Sequence, residues 1–216
     1  MAVEIELKAN IDDIEPLKER LSAIGKYCRS YQKTDTYWLS PKAYIPRVRV
    51  RREQGIDAIG AAYESAIVTM KAKRVSEGNE GNKNEGNKIE VNDEREFSVS
   101  DAALFEELLH SLDMRKAMHK EKNGWAWLIP PEARQPGAEP PTPLLPILAE
   151  LSLVTNLGWF LELEIVCSGN CRQEVAESRE RLLALLARLE VPASRIEDRP
   201  YAEMLRAQGN AAMGIL

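Results

Sequence analysis

The sequence, 216 residues long, predicts an α+β fold: a closed β-sheet with a charged interior and helices packed outside. Three observations predict it. Several segments alternate charged and aliphatic residues at period two, the period of a strand. The charges of each segment share one face, and both signs recur along the chain. Stretches with helical apolar spacing separate some of these segments and follow the last. A sheet with one charged face usually turns it to water, and pattern alone leaves that alternative open.

Val3-Glu4-Ile5-Glu6-Leu7-Lys8 is the first segment. Same-face side chains of a strand sit ~6.6 Å apart. Glu4, Glu6 and Lys8 therefore line one face, and Val3, Ile5 and Leu7 the other. A helix follows, with Asp12 or Asp13 as cap and Pro16 in its first turn. Leu17, Leu21 and Ile24 form its apolar stripe, and Gly25 ends it. Tyr31 to Leu39 has the aromatic and β-branched content of a strand. Asp35 within it is either a partner for a cationic neighbour or a solvated strand residue. Ser40-Pro41-Lys42 then marks a turn.

Arg47-Val48-Arg49-Val50-Arg51 is the second alternating block. Like charges on one strand face destabilise an empty sheet. They make sense opposite carboxylates or a bound phosphate chain, which the planar guanidinium fork suits. Ala66 to Lys73 is the third block, with Thr69, Lys71 and Lys73 in phase. The stretch 77–88 repeats Glu-Gly-Asn with lysines and reads as a flexible excursion.

Lys88 to Phe97 is the fourth block, with Glu90, Glu94 and Glu96 of one parity. A helix over 101–112 follows, capped by Ser100 or Asp101, with Leu104, Leu108 and Leu109 as its core stripe. His110 lies on its surface. Lys116 to Leu128 predicts a hairpin turning at Asn123-Gly124. Lys116, Lys120 and Lys122 share a parity there, and His119 falls on the other face. Pro130 to Pro146 is a proline-dense inserted connection. In the last block, 157–166, Glu162 and Glu164 share a face of an otherwise apolar strand. Buried carboxylates need partners, and lysine or metal would serve. A long helix over 172–189 and a short one around 201–207 complete the chain.

Composition narrows the class. Residues 1–208 read as one domain with insertions at 77–87 and 130–146, and 209–216 as a C-terminal tail. A net charge of −5 argues against nucleic acid as the main partner. No apolar run approaches the ~20 residues that span a bilayer, and no signal peptide is evident. Cys28, Cys167 and Cys171 lack zinc-like spacing, and the expected compartment is a reducing cytoplasm. An interior holding cations for phosphates and carboxylates for divalent metals is what phosphoryl-transfer chemistry requires.

The ordered motifs resemble those of the CYTH superfamily, the triphosphate tunnel metalloenzymes. Glu4-Ile5-Glu6-Leu7-Lys8 matches its N-terminal Glu-x-Glu-x-Lys signature. Asp35-Thr36-Tyr37, Arg49-Val50-Arg51, Thr69-Met70-Lys71, the pair Glu94 and Glu96, Lys120-Glu121-Lys122 and Leu157 to Glu164 resemble its later strands in order. The resemblance implies an eight-stranded antiparallel tunnel holding a triphosphate and one or two Mg²⁺ or Mn²⁺ ions. Glu4, Glu6, Glu162 and Glu164 would hold metal. Lys8, Arg49, Arg51, Lys71, Lys120 and Lys122 would grip phosphate, joined by Arg47 and Lys73. Glu94 and Glu96 are secondary candidates. Glu162, Glu164 and Lys71 are the catalytic candidates.

The resemblance implies a small-molecule triphosphate, ATP or tripolyphosphate, as partner, and it admits a homodimer. Two reactions fit. One is class IV adenylyl cyclase-like, closing ATP to cyclic AMP and pyrophosphate, and 32–38 looks more like that branch. The other hydrolyses tripolyphosphate, thiamine triphosphate or a nucleoside triphosphate. A non-catalytic polyphosphate binder is the third reading. Its support is Ser152, which stands where the family commonly has aspartate; whether Glu150 substitutes is left open.

Overall fold

The computed structural model describes residues 3–42, 47–72, 90–131, 145–167 and 172–209. Eight antiparallel strands close into a barrel in the order β1-β5-β4-β3-β2-β6-β7-β8. The strands are β1 (Val3–Ile11), β2 (Lys26–Leu39), β3 (Arg47–Asp57), β4 (Ala62–Ala72), β5 (Glu90–Ser98), β6 (Arg115–Ile129), β7 (Ile147–Val154) and β8 (Gly158–Cys167). The helices are α1 (Glu15–Ile24), α2 (Ala102–Ser111), α3 (Arg172–Arg188) and α4 (Tyr201–Ala207). The excursion at 77–87 and most of the proline-rich loop lie outside the described residues, as does Cys171.

The alternation of the sequence sorts the side chains across the barrel wall. Val3, Ile5, Leu7 and Ala9 of β1 point outward and pack with Leu17 and Leu21 of α1, Leu182 and Leu186 of α3, and Leu189 just after α3. Burying each such aliphatic side chain contributes about 1.5–3 kcal/mol. A second apolar cluster joins Trp38, Val48, Val50 and Val68 to Ala102 and Leu109 of α2. The apolar cores thus lie between sheet and helices, and the opposite parity of each strand faces inward. The short β1–β5 ladder, Glu4–Asn92 to Glu6–Glu90, closes the sheet.

Four expectations are corrected. No hairpin turns at Asn123-Gly124: β6 runs straight through, with Gly124 opposite Tyr31 on one side and Ser152 on the other. The glycine serves close packing, because a Cβ there would sit 2.2 Å from the Leu151 carbonyl oxygen. In α2, Leu104 and Leu108 are 64% and 51% exposed. The buried stripe is Ala102, half-buried Phe105 and Leu109, the face that meets the sheet. Asp101 does cap α2, accepting from the backbone N–H groups of Ala103 and Leu104.

The other two corrections concern β6 and α1. Lys116 does not share the inward face of Lys120 and Lys122. A bulge opposite Tyr37 and Trp38 reverses its parity. Its ammonium pairs with Glu106 of α2 at 3.3 Å on the exposed outside. Ile14, not Asp12 or Asp13, holds the cap position of α1 and makes no side-chain hydrogen bond, while Asp13 Oδ1 accepts from the first helical N–H, that of Glu15, at 3.3 Å.

Candidate functional site

The inward parity of the eight strands assembles a polar interior. In β2 it carries Tyr31, Lys33 and Asp35; in β3, Arg49, Arg51 and Glu53; in β6, Lys120 and Lys122. On the other side stand Glu150 and Ser152 of β7, Glu162 and Glu164 of β8, and Glu4, Glu6 and Lys8 of β1. Lys8, Lys33, Asp35, Arg49, Glu53, Lys120, Lys122, Glu150 and Ser152 are all buried. Charges removed from water are tolerated only when paired, and here most are paired in three groups, while Lys8 donates to the Arg199 carbonyl at 2.8 Å.

The first group centres on Asp35. Arg51 donates to both its oxygens, Nε to Oδ1 at 2.7 Å and Nη2 to Oδ2 at 2.9 Å. The Lys120 ammonium lies 3.0 Å from Oδ2. Burial raises the Asp35 pKa, but Lys120 and Arg51 outweigh it and hold the carboxyl well below the usual range. Register places Asp35 opposite Arg51 on one side and Lys120 on the other. Of its two sequence readings, that of partner to cations is the one observed.

Glu150 centres the second group. Its carboxylate accepts from Lys33 at 2.5 Å, Lys122 at 3.0 Å, Tyr31 at 3.2 Å and Arg29 at 3.3 Å. Burial opposes ionisation, yet Lys122 and Lys33 keep the group well below the ordinary glutamate range. Burial lowers Lys33 to about 8, Glu150 opposing the shift and Lys122 and Arg51 adding to it. Glu53 accepts from Arg29 at 3.1 Å and from Tyr63 at 2.8 Å. Lys122 also donates to Glu162 at 2.6 Å. Burial raises Glu162, but Lys122 carries it down to about 2.

In the third group Arg49 donates to Glu96 at 3.0 Å and to the Thr69 hydroxyl at 2.8 Å, and Thr69 donates to Glu96 at 2.6 Å. Exposed Arg47 stands opposite Lys71 in register, and Lys71 opposite Glu94. Lys73 lies outside the described residues.

Glu4, Glu6, Glu162 and Glu164 come together on the adjacent strands β1 and β8. Glu6 pairs in register with Glu164, and Lys8 with Glu162. Among the described residues no three acidic, histidine or cysteine groups converge tightly enough to chelate an ion as they stand. The donor chemistry nevertheless fits a hard divalent ion, which takes carboxylate oxygens. Burial first, then Glu4, Glu6, Glu150 and Glu162, push Glu164 up to about 8. A carboxylate raised in this way by its neighbours gains from a cation shared with them.

The sequence reading assigned no role to Lys33, Glu53, Tyr31 or Tyr201. Lys33 and Glu53 carry a legible signal, being two residues from Asp35 and Arg51 on the same strand faces. Glu150 shares the face of Ser152 two residues on. Tyr201 lies on a separate helix, with nothing local to mark it. His119 is exposed beside Glu121 at 3.0 Å, and His110 is exposed on α2. A separate groove of about 630 Å³ is lined by His119, Thr34, Thr36, Arg52 and Leu205, and also by Lys120. None of Glu4, Glu6, Glu150, Glu162 or Glu164 lines it. Among the described residues no helix is long and apolar enough to cross a membrane.

No family model and no curated protein matches the sequence. Solved structures do share the fold. The PH1819 protein of Pyrococcus horikoshii OT3 superposes with a TM-score of 0.70 at 20% identity, over 95% of this chain and 99% of that one. A candidate adenylate cyclase from Vibrio parahaemolyticus gives 0.66 at 14% identity, over 94% and 97%. A candidate adenylyl cyclase from Hippeastrum, described as having a dominant triphosphatase activity, gives 0.51 at 13%, over 99% and 98%.

Proposed function

We propose that this chain is a CYTH-like, metal-dependent enzyme acting on a triphosphate held inside its barrel. One observation carries the reading. Lys8, Lys33, Arg49, Lys120 and Lys122 are buried inside a barrel beside a carboxylate set on β1 and β8. These cations converge on one interior from β1, β2, β3 and β6, the arrangement a polyanion requires, since each phosphate oxygen accepts charge-assisted hydrogen bonds. Arg49, Arg51, Lys120 and Lys122 grip the phosphates, with Lys8 and Lys33 beside them and Arg47 at the exposed end of β3. Glu4, Glu6, Glu162 and Glu164 hold Mg²⁺ or Mn²⁺. Such an ion neutralises phosphate charge and activates an oxygen nucleophile.

The leading reaction is class IV adenylyl cyclase-like. The ribose 3′-hydroxyl of ATP attacks the α-phosphorus, the bond to the bridging oxygen breaks, and pyrophosphate leaves. The protein's cations stabilise the charge that builds on that leaving group. Its support is the resemblance of 32–38 to that branch and the adenylate cyclase description of the Vibrio structural neighbour. The second reading is triphosphate hydrolysis, in which water attacks the terminal phosphorus, its bond to the bridging oxygen breaks, and orthophosphate and the diphosphate leave. Its support is the triphosphatase description of the Hippeastrum structural neighbour; Ser152 in place of the commonly found aspartate supports the non-catalytic binder.

Purified protein incubated with ATP or tripolyphosphate and Mg²⁺ or Mn²⁺, followed by product analysis, tests this. Cyclic AMP with pyrophosphate supports the cyclase, and orthophosphate the hydrolase. Tight binding without turnover under either metal would overturn the enzyme reading in favour of a polyphosphate binder.

A further inference from the structure

We propose that Tyr201, carried by α4 into the barrel, is a positioning residue with two separable actions. Its hydroxyl orients Glu162 for the divalent ion, and its ring seats Lys8 and Lys120 for the phosphates. The inference rests on the function proposed above.

The placement of Tyr201 is built by several contacts. The segment before α4 is tied to β1: Glu197 donates its backbone N–H to the Lys8 carbonyl at 2.9 Å, and Ile196 bridges to Ala9. Lys8 in turn donates its ammonium to the Arg199 carbonyl at 2.8 Å. Met204 packs with Val154 and Phe160, and Leu205 with Met118. Phe160 meets the Tyr201 ring edge-on at 5.1 Å. The ring is therefore fixed from outside and inside the barrel.

A buried phenol needs a hydrogen-bond partner. Tyr201 donates to one oxygen of Glu162, and Lys122 donates to the other. The carboxylate is thus held from two sides. With Lys122 alone it is free to swing toward the lysines and away from Glu164. Two ammonium groups lie over the ring, Lys8 at 4.8 Å and Lys120 at 4.9 Å from its centroid. A ring that attracts two cations fixes the spacing of two phosphate-binding groups from different strands. An aliphatic side chain would fill the volume and do neither.

Tyr201→Phe and Tyr201→Leu separate the two actions. Tripolyphosphate binding is measured calorimetrically in EDTA, and Mn²⁺ binding by the EPR signal of the free ion. Tyr201→Phe should keep metal-free tripolyphosphate affinity within about twofold, because the ring remains. It should weaken Mn²⁺ by about tenfold, as loss of a group orienting a metal ligand does. Tyr201→Leu should also weaken tripolyphosphate by about fivefold or more. Unchanged or tighter Mn²⁺ binding in Tyr201→Phe would overturn the hydroxyl's role and mark it as an obstacle to the ion. Unchanged tripolyphosphate binding in a folded Tyr201→Leu would overturn the ring's role. Should circular dichroism show the leucine variant unfolded, the phenylalanine variant decides. A wild-type protein that binds neither ligand overturns this inference and the proposed function together; a wild-type Mn²⁺ response that Tyr201→Phe leaves intact overturns this one alone.

Discussion

Arg51 grips both carboxylate oxygens of Asp35 from the neighbouring strand, at 2.7 and 2.9 Å, and Asp35 has no exposed surface. The pair is register-matched, so the ladder itself sets its geometry. With Lys120 on the third side, one buried anion balances buried Lys120 and half-buried Arg51. A bound phosphate would supply the missing negative charge.

Asp35→Asn should therefore destabilise the fold by about 3–5 kcal/mol, the cost of leaving buried partners uncompensated. Tripolyphosphate should restore part of the loss. Because its folded pKa is depressed, Asp35 stabilises fully above its unfolded value of ~3.9, and that stability is lost as pH falls through the folded value. Denaturant unfolding at pH 7 and pH 3 checks both points. A smaller wild-type advantage at pH 7 than at pH 3 would contradict the assignment.

Glu164 should behave in the opposite sense. Its folded pKa is raised to about 8. Between ~4.3, the unfolded value, and that pH the native state holds a proton that the unfolded state has lost. Stability in EDTA should fall as pH rises across this window. Glu164→Gln should be more favourable relative to wild type at pH 8 than at pH 5, and should abolish turnover with the fold intact. Parallel stability curves for the two proteins, or full turnover at saturating Mn²⁺, would refute it.

Arg49 spans Thr69 and Glu96 on the two strands beyond its own. Arg49→Ala should weaken tripolyphosphate by about tenfold or more, the loss of one charge-assisted contact. Phosphate should lose far less, since a chain reaches several groups and a single phosphate few. Calorimetric titration of both ligands is the check, and equal losses would count against a chain-binding interior.

Gly124→Ala tests the continuous β6 strand. Its Cβ would meet the Leu151 carbonyl oxygen at 2.2 Å and the Ser152 Cβ at 2.9 Å. Overpacking against a backbone that cannot move should cost about 1–3 kcal/mol. A melting temperature equal to wild type would overturn the close approach of β6 to β7 at this position.

The sequence by itself determined which residues share a strand face, and so the sorting of charge from aliphatic surface. Period two is a property of the backbone, which is why Glu4, Glu6 and Lys8 could be separated from Val3, Ile5 and Leu7 without coordinates. Motif order completed the eight-stranded closed barrel. What depends on neighbours in space was not legible. The bulge that turns Lys116 outward is a mismatch between two strands and leaves no mark on either alone. Asn123-Gly124 carries a local turn signal, yet pairing on both flanks holds it extended. Lys33, Glu53 and Glu150 became a network only when closure brought β2, β3 and β7 around one interior. Tyr201 reaches Glu162 across 39 positions of sequence. Side-chain direction is local chemistry, whereas which charge meets which is decided by register and barrel closure.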